Sequence, residues 1–329
     1  MKFRKKGAGH ERLLFVKVFR GELMSRASLG NQDYWEKQFL YRAERARLEW
    51  ERIVQPSKNP DYRPQYVWDT ARGTCFRLLL TSYSRGDSVL ELNKYFISVL
   101  DAWELSDRLA QELNTRLAPG QGWDHRHLLT APLASDDPRS HDDPRAWIFK
   151  LSNLNHYNWC FWLVGLALAL DIPEEQWQRL LLLVGGEGDD ELLDRVIASR
   201  APSRRIGETL LHPKPYARLL KAVNAPKEQQ AVLLRDFVDH WYPELKRKGK
   251  DELWWYIYGD PEKHPLEKGS YFGRWCVEAV AAVKAFGMDD SLCLGHEYYP
   301  GDLLRPDGPT THPLRVEPKK GLLARLFLK

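Results

Sequence analysis

Between Leu151 and Leu170 the chain runs for twenty residues without a charged side chain, so any fold it adopts must keep that stretch away from water. Its length suits a membrane span. Its first half, however, carries Ser152, Asn153, Asn155, His156 and Asn158, which hydrocarbon would leave unsatisfied. Inside a helical protein the same groups find partners or sit at an exposed helix start. The segment is therefore read as a buried central helix, and 329 residues supply ample core for one large domain or two ordinary ones.

Helical periodicity dominates the remainder. Trp35, Phe39, Ala43, Ala46, Trp50 and Ile53 recur at steps of three and four, opposite Glu36, Lys37, Arg45, Arg47, Glu49 and Glu51. A second helix is expected from Gln65 through Tyr83, ending at Gly86. Asp87-Ser88-x-x-Glu91 then offers a capping box for a third, with Val89, Leu92, Phe96, Val99 and Trp103 as its stripe. Further helical signal covers 146–170, 174–184, 189–199, 214–223, 227–246, 252–258 and 270–286, the last with Phe272, Cys276, Ala279, Val280 and Val283 on one side and Gly287 at its end. No sustained β alternation is present. The expectation is an all-α, multi-helix body of packed helical hairpins with little or no β-sheet. It divides into a basic arm (1–30), a helical domain (31–117), an irregular acidic connection rich in Pro, Gly, Asp and His (118–145), a second helical domain (146–305) and a basic amphipathic tail (306–329).

Cys75, Cys160, Cys276 and Cys293 form no C-x-x-C pair, which suits core thiols in a reducing compartment. With no secretory leader pattern after the basic opening, the expected location is cytoplasmic. Charge is unevenly spread: residues 1–30 carry +6 and 315–329 carry +4, leaving −6 for 31–314 in a chain of net +4. An acidic body repels a phosphate backbone and suits a basic protein partner.

Among candidate constellations, Glu187, Asp189, Asp190, Glu191 and Asp194 follow Gly185-Gly186 and open a helix. Carboxylates there interact with the helix dipole and unpaired N–H groups, or they face the Lys and Arg of a basic partner. Asp136, Asp137, Asp142 and Asp143 in the connection are similar candidates. Glu278, on an otherwise apolar helix, reads as a structural carboxylate paired with an arginine or hydroxyl. His296-Glu297 and Asp124-His125-Arg126-His127 lack metal-site spacing, and no nucleophile motif or phosphate loop is found. The chain is read as a non-enzyme with no metal and no cofactor. The tail places Leu322, Leu323, Leu326 and Phe327 together at helical spacing beside Lys320, Arg325 and Lys329; a disordered or self-docked tail is expected for so short a segment, with contact to anionic membrane alongside the basic N-terminal arm as the alternative and no stable insertion.

Identity is carried by the order G-x-Y-F-x-x-W-x-x-E-A, then an acidic pair, then H-x-Y-Y-P-x-D-L. Its residues are Gly269, Tyr271, Phe272, Trp275, Glu278, Ala279, Asp289, Asp290, His296, Tyr298, Tyr299, Pro300, Asp302 and Leu303. This resembles the C-terminal domain of the PoNi immunity proteins, bacterial antidotes to polymorphic DNase toxins of the PoNe type. Residues 31–103, with Tyr34-Trp35, Tyr62-Arg63, Tyr66-Val67-Trp68-Asp69 and Gly86-Asp87, are similar to the N-terminal domain of that family. The resemblance spans 31–305. It implies a cognate DNase toxin as partner, delivered by type VI secretion, and neutralised by blocking its catalytic or DNA-binding cleft without direct nucleic-acid binding. It also implies structural roles for Tyr271, Trp275, Glu278, His296, Tyr298, Tyr299 and Asp302. An α-helical adaptor unrelated to toxins is the rival reading; a hydrolase using Glu278, His296 and Asp302 is another.

Overall fold

The computed structural model describes residues 24–56, 63–114, 151–249 and 252–313, and among them there is no β-strand. The first helix, α1 (Gln32–Ile53), starts where the Asn31 side chain accepts a hydrogen bond from Tyr34 N at 2.9 Å. Its buried face is rotated from the expected stripe. Trp35, Ala46 and Ile53 are buried, but Gln38, Arg42 and Glu49 complete the face, while Phe39, Ala43 and Trp50 are only half-buried. Glu49 was expected on the solvent side. Arg42 explains the rotation, since one of its nitrogens donates to the Gly269 and Tyr271 carbonyls at 2.9 and 3.2 Å. Burial, reinforced by the nearby Arg77, pushes the Arg42 pKa down to about 10.

The second expected helix is helical throughout but not uniform. α2 (Arg63–Thr70) passes through a π-helical turn, Ala71–Cys75, into α3 (Phe76–Arg85), which Gly86 ends in the left-handed region at φ 104°. The capping box does not form. A 3-10 turn, Val89–Glu91, leads into α4 (Leu92–Asn114), the Ser88 side chain makes no cap bond, and Glu91 pairs with Lys94. Asp87 is held instead by Arg85 at 2.7 Å.

The uncharged stretch forms α5 (Leu154–Ala169), buried from Tyr157 to Leu168 and capped by Asn153. Around it lie α6 (Glu174–Val184), α7 (Glu191–Ala198) and a late helix, α10 (Val277–Phe286), while α8 (Pro213–Asn224) and α9 (Lys227–Glu244) pack as a hairpin. No helix among the described residues is long and apolar enough to cross a membrane. Two expectations fail. Residues 252–258 form turns, and 270–276 are non-helical, so α10 begins only at Val277. Gly273 suits that break: it sits at φ 104°, where a Cβ would collide with the Trp275 indole.

A cluster of buried apolar side chains runs from Ala27 to Leu303 and takes in both halves of the chain. Trp159 of α5 sits edge-on to Trp68, Phe76 and Trp103 from the first half, with Phe76 nearest at 4.6 Å between ring centroids. Arg77 lies over Trp254 and Tyr258 at 4.8 and 5.2 Å. The four cysteines are buried and form no disulfide with one another.

Candidate functional site

The acidic cluster lies in the loop between α6 and α7. Gly185, Gly186 and Gly188 all have positive φ there, and a Cβ on Gly188 would meet Arg205 at 2.5 Å. Its five carboxylates divide sharply. Asp190 and Asp194 are buried and spent on the loop itself. Asp190 caps α7, accepting from Leu193 N at 2.8 Å, Leu211 N at 2.8 Å and Tyr157 Oη at 2.9 Å. Burial raises its pKa against the pull of those bonds. Asp194 accepts from Arg204 Nε at 2.7 Å and from the backbone N–H groups of Gly188, Asp190 and Gly207. Neither offers a surface to a partner, so both leave the toxin-facing set, and replacing Asp190 with lysine would test folding rather than binding.

Glu187 and Asp189 are exposed and Glu191 is half-buried. Glu187 accepts from Arg205 N at 2.7 Å, Glu191 faces Arg195 at 3.4 Å, and the exposed Asp189 carboxylate is uncommitted among the described residues. Beside Glu187, Leu182 is 81% exposed, on an open depression of about 390 Å³ lined by Gln178, Leu181, Gly185, Glu187 and Arg204. Sequence reasoning passed over Leu182. The signal was the run Leu180-Leu181-Leu182-Leu183, since four successive helical residues cannot all point inward. Asp136, Asp137, Asp142 and Asp143 lie outside the described residues.

The C-terminal motif residues are turned inward, each with its own partners. Glu278 is fully buried and accepts from Asn158 Nδ2 (3.0 Å), Trp162 Nε1 (3.0 Å), Tyr216 Oη (2.8 Å) and Trp241 Nε1 (3.2 Å). These donors come from α5, α8 and α9, and none is an arginine. Burial pushes the Glu278 carboxyl up to about 7 although all four donors favour its charged form. Trp275 donates to Ser84 Oγ at 2.9 Å, and the Tyr271 carbonyl accepts from Tyr34 Oη at 2.9 Å. Tyr299 donates to Asp290 at 2.6 Å. The half-buried His296 contacts Asp239 through Nε2 at 3.2 Å and accepts from Tyr298 N through Nδ1 at 3.1 Å. Asp302 binds Arg26 at 2.6 Å and also accepts from Thr310 and Thr311. Burial opposes its charge, but Thr311 N–H and Arg26 hold its carboxyl below the usual range. Glu278, His296 and Asp302 thus belong to three separate networks, which gives the hydrolase reading no shared centre.

His312 closes the last network, with Nε2 3.1 Å from Tyr83 Oη. Burial pushes its pKa down to about 4 from an ordinary 6.5. The unfolded chain therefore takes up a proton first, so the stability this site contributes is complete above pH 6.5 and is lost as pH falls toward 4. The loss should reach about 2–3 kcal/mol. In urea titrations at pH 7 and pH 4, His312→Gln should show a smaller acid loss than wild type; equal losses would remove His312 as the cause.

Two family models match the chain in order: "PoNe immunity protein (PoNi), N-terminal" over residues 26–182, and "PoNe immunity proteins (PoNi), C-terminal" over residues 188–303. Among solved structures, the crystal structure of protein PA2201 from Pseudomonas aeruginosa is similar at a TM-score of 0.59 and 19% identity, covering 87% of this chain and 91% of that one. That likeness concerns the fold. No curated protein matches.

Proposed function

Because the chain belongs to the PoNe immunity protein (PoNi) family, we propose that it binds a cognate DNase toxin of the PoNe type and closes that toxin's catalytic or DNA-binding cleft. In this reading the toxin arrives by type VI secretion and the chain acts in the cytoplasm as a binder without catalysis of its own. The observation that carries the reading is the pair of family regions, matched in order from 26 to 303.

Charge and shape support it. A nuclease holds DNA with Lys and Arg, and the opposing surface best able to meet them pairs exposed carboxylates with an apolar anchor. Glu187 on the depression at Leu182, followed in sequence by the exposed Asp189 and the half-buried Glu191, supplies that pairing. The carboxylates steer encounter and fix register, while Leu182 supplies desolvated contact. Asp136, Asp137, Asp142 and Asp143 are assigned to the same contact on charge alone.

Co-expression with a PoNe-type toxin encoded beside this chain should give surviving cells and a co-purifying complex. Death of cells that hold soluble protein, with no complex formed, would count for the adaptor reading. Leu182→Arg together with Asp189→Lys should weaken binding on the order of 10- to 100-fold and leave the circular dichroism unchanged. Wild-type affinity in that variant would move the interface elsewhere.

A further inference from the structure

The outer face of α1 carries more apolar area than a solvent-facing helix needs. Trp35, Arg42, Ala46 and Ile53 turn inward. On the opposite side Leu40, Tyr41, Glu44 and Leu48 form one stripe, flanked by Lys37 and Glu51, and all six are exposed. Leu40, Tyr41 and Leu48 are 54%, 59% and 49% exposed. A lone exposed leucine is ordinary. Three large apolar side chains in one stripe, framed by charges, make a patch suited to a partner.

The order of these residues is symmetric about Glu44. Lys37 and Glu51 stand seven residues to either side, Leu40 and Leu48 four, and Tyr41 and Arg47 three. At roughly 1.5 Å of rise per residue, the outer pair lies about 10 Å from the centre. A second α1, laid antiparallel against the first on a two-fold axis at Glu44, therefore brings complementary groups to the same height. Tyr41 meets the partner's Leu48, Leu40 lies on the stem of the partner's Arg47, and Lys37 faces the partner's Glu51. Glu44 meets the partner's Glu44 at the axis, but each is held by its own Arg47 at 2.7 Å, which offsets the like charges. Lys37 and Arg47 balance Glu44 and Glu51 along the stripe. A strongly basic or acidic partner gains little from so balanced a face, whereas a second copy offers an opposite charge at both ends.

We propose that two copies of this chain associate through α1, antiparallel about Glu44. The interface is isologous, so one stripe serves both sides. A contact of one helix pair is smaller than the roughly 1,200 Å² of a standard stable interface, so the dimer is a weak one that forms as concentration rises. The depression at Leu182 lies on α6, which packs on α4 and α5, while α1 packs on α2 and α3. Dimerisation thus uses a different element from the proposed toxin contact.

Sedimentation velocity of the full chain, from micromolar to near-millimolar concentration, should show a monomer–dimer equilibrium. Leu40→Glu together with Leu48→Glu should weaken it on the order of tenfold or more. Lys37→Glu alone sets carboxylate against carboxylate at both ends and should weaken it about threefold, less at high salt. Adding Glu51→Lys to that variant should bring the dimer back. Thermal unfolding should change little in any of them, because the altered side chains are exposed. A monomer at every concentration would overturn the proposal. So would a dimer indifferent to the leucine variant, or a charge swap that fails to restore association. Loss of toxin binding in the leucine variant would overturn it too, by giving this face to the toxin.

Discussion

Replacing Glu278 with alanine should lower stability at pH 7 by about 3–5 kcal/mol, the range for breaking a buried charged network by removing one partner. Four donors from α5, α8 and α9 converge on its carboxylate, and all lie in the core. Each buried donor left without an acceptor costs about 1–3 kcal/mol. Relief from burying the charge offsets part of that, since a carboxyl raised from 4.5 to about 7 corresponds to roughly 3 kcal/mol of disfavoured ionisation. Glutamine separates the two effects, because it keeps one acceptor oxygen and abolishes the titration. With a folded pKa above the unfolded value, the contribution of Glu278 is full below pH 4.5 and is lost as pH rises through about 7. Glu278→Gln should therefore be less harmful at pH 8 than at pH 5. Urea titrations at the two values decide it, and an alanine variant within about 0.5 kcal/mol of wild type, the range of ordinary surface substitutions, would mean that the donors find other partners.

Asp194→Ala should cost a similar amount, about 3–5 kcal/mol, for a different reason. It strands the Arg204 guanidinium, whose side chain is only 6% exposed, and it releases the N–H groups of Gly188, Asp190 and Gly207. Those bonds tie the α6–α7 loop to the segment before α8. The same variant should raise amide exchange across 185–190 and lower toxin affinity indirectly, by loosening Glu187 and Asp189. Asp194→Asn, which keeps an acceptor for Arg204, should recover much of both losses. Normal stability in the alanine variant would sink the view that this pair builds the loop.

Local signals were legible where local physics decides. α6 runs from Glu174 to Val184, the bounds expected from the sequence, and Gly287 ends α10 in the left-handed region at φ 62°. Long-range partners were not legible. Arg42 and Glu49 look like solvent-facing residues on α1, and only carbonyls more than two hundred residues away turn Arg42 inward. Trp275 follows helical spacing, yet the chain is non-helical there, with Gly273 at positive φ and the Trp275 indole bonded to the Ser84 hydroxyl. The acidic run before α7 was visible as a group, but its division between two buried and three accessible carboxylates depends on Arg204, Tyr157 and Leu211, which no spacing rule connects to it.

The bond between Arg26 and Asp302 joins positions 276 apart. At roughly 5–20 residues per second of synthesis, the segment around Arg26 waits tens of seconds on the ribosome before its partner exists. α1 and α3, which pack on each other in the fold, are both synthesised within that interval, and non-local closure of this kind is slow. An interrupted translation product lacks the clasp altogether, so the completed fold marks a chain translated at least as far as Thr311.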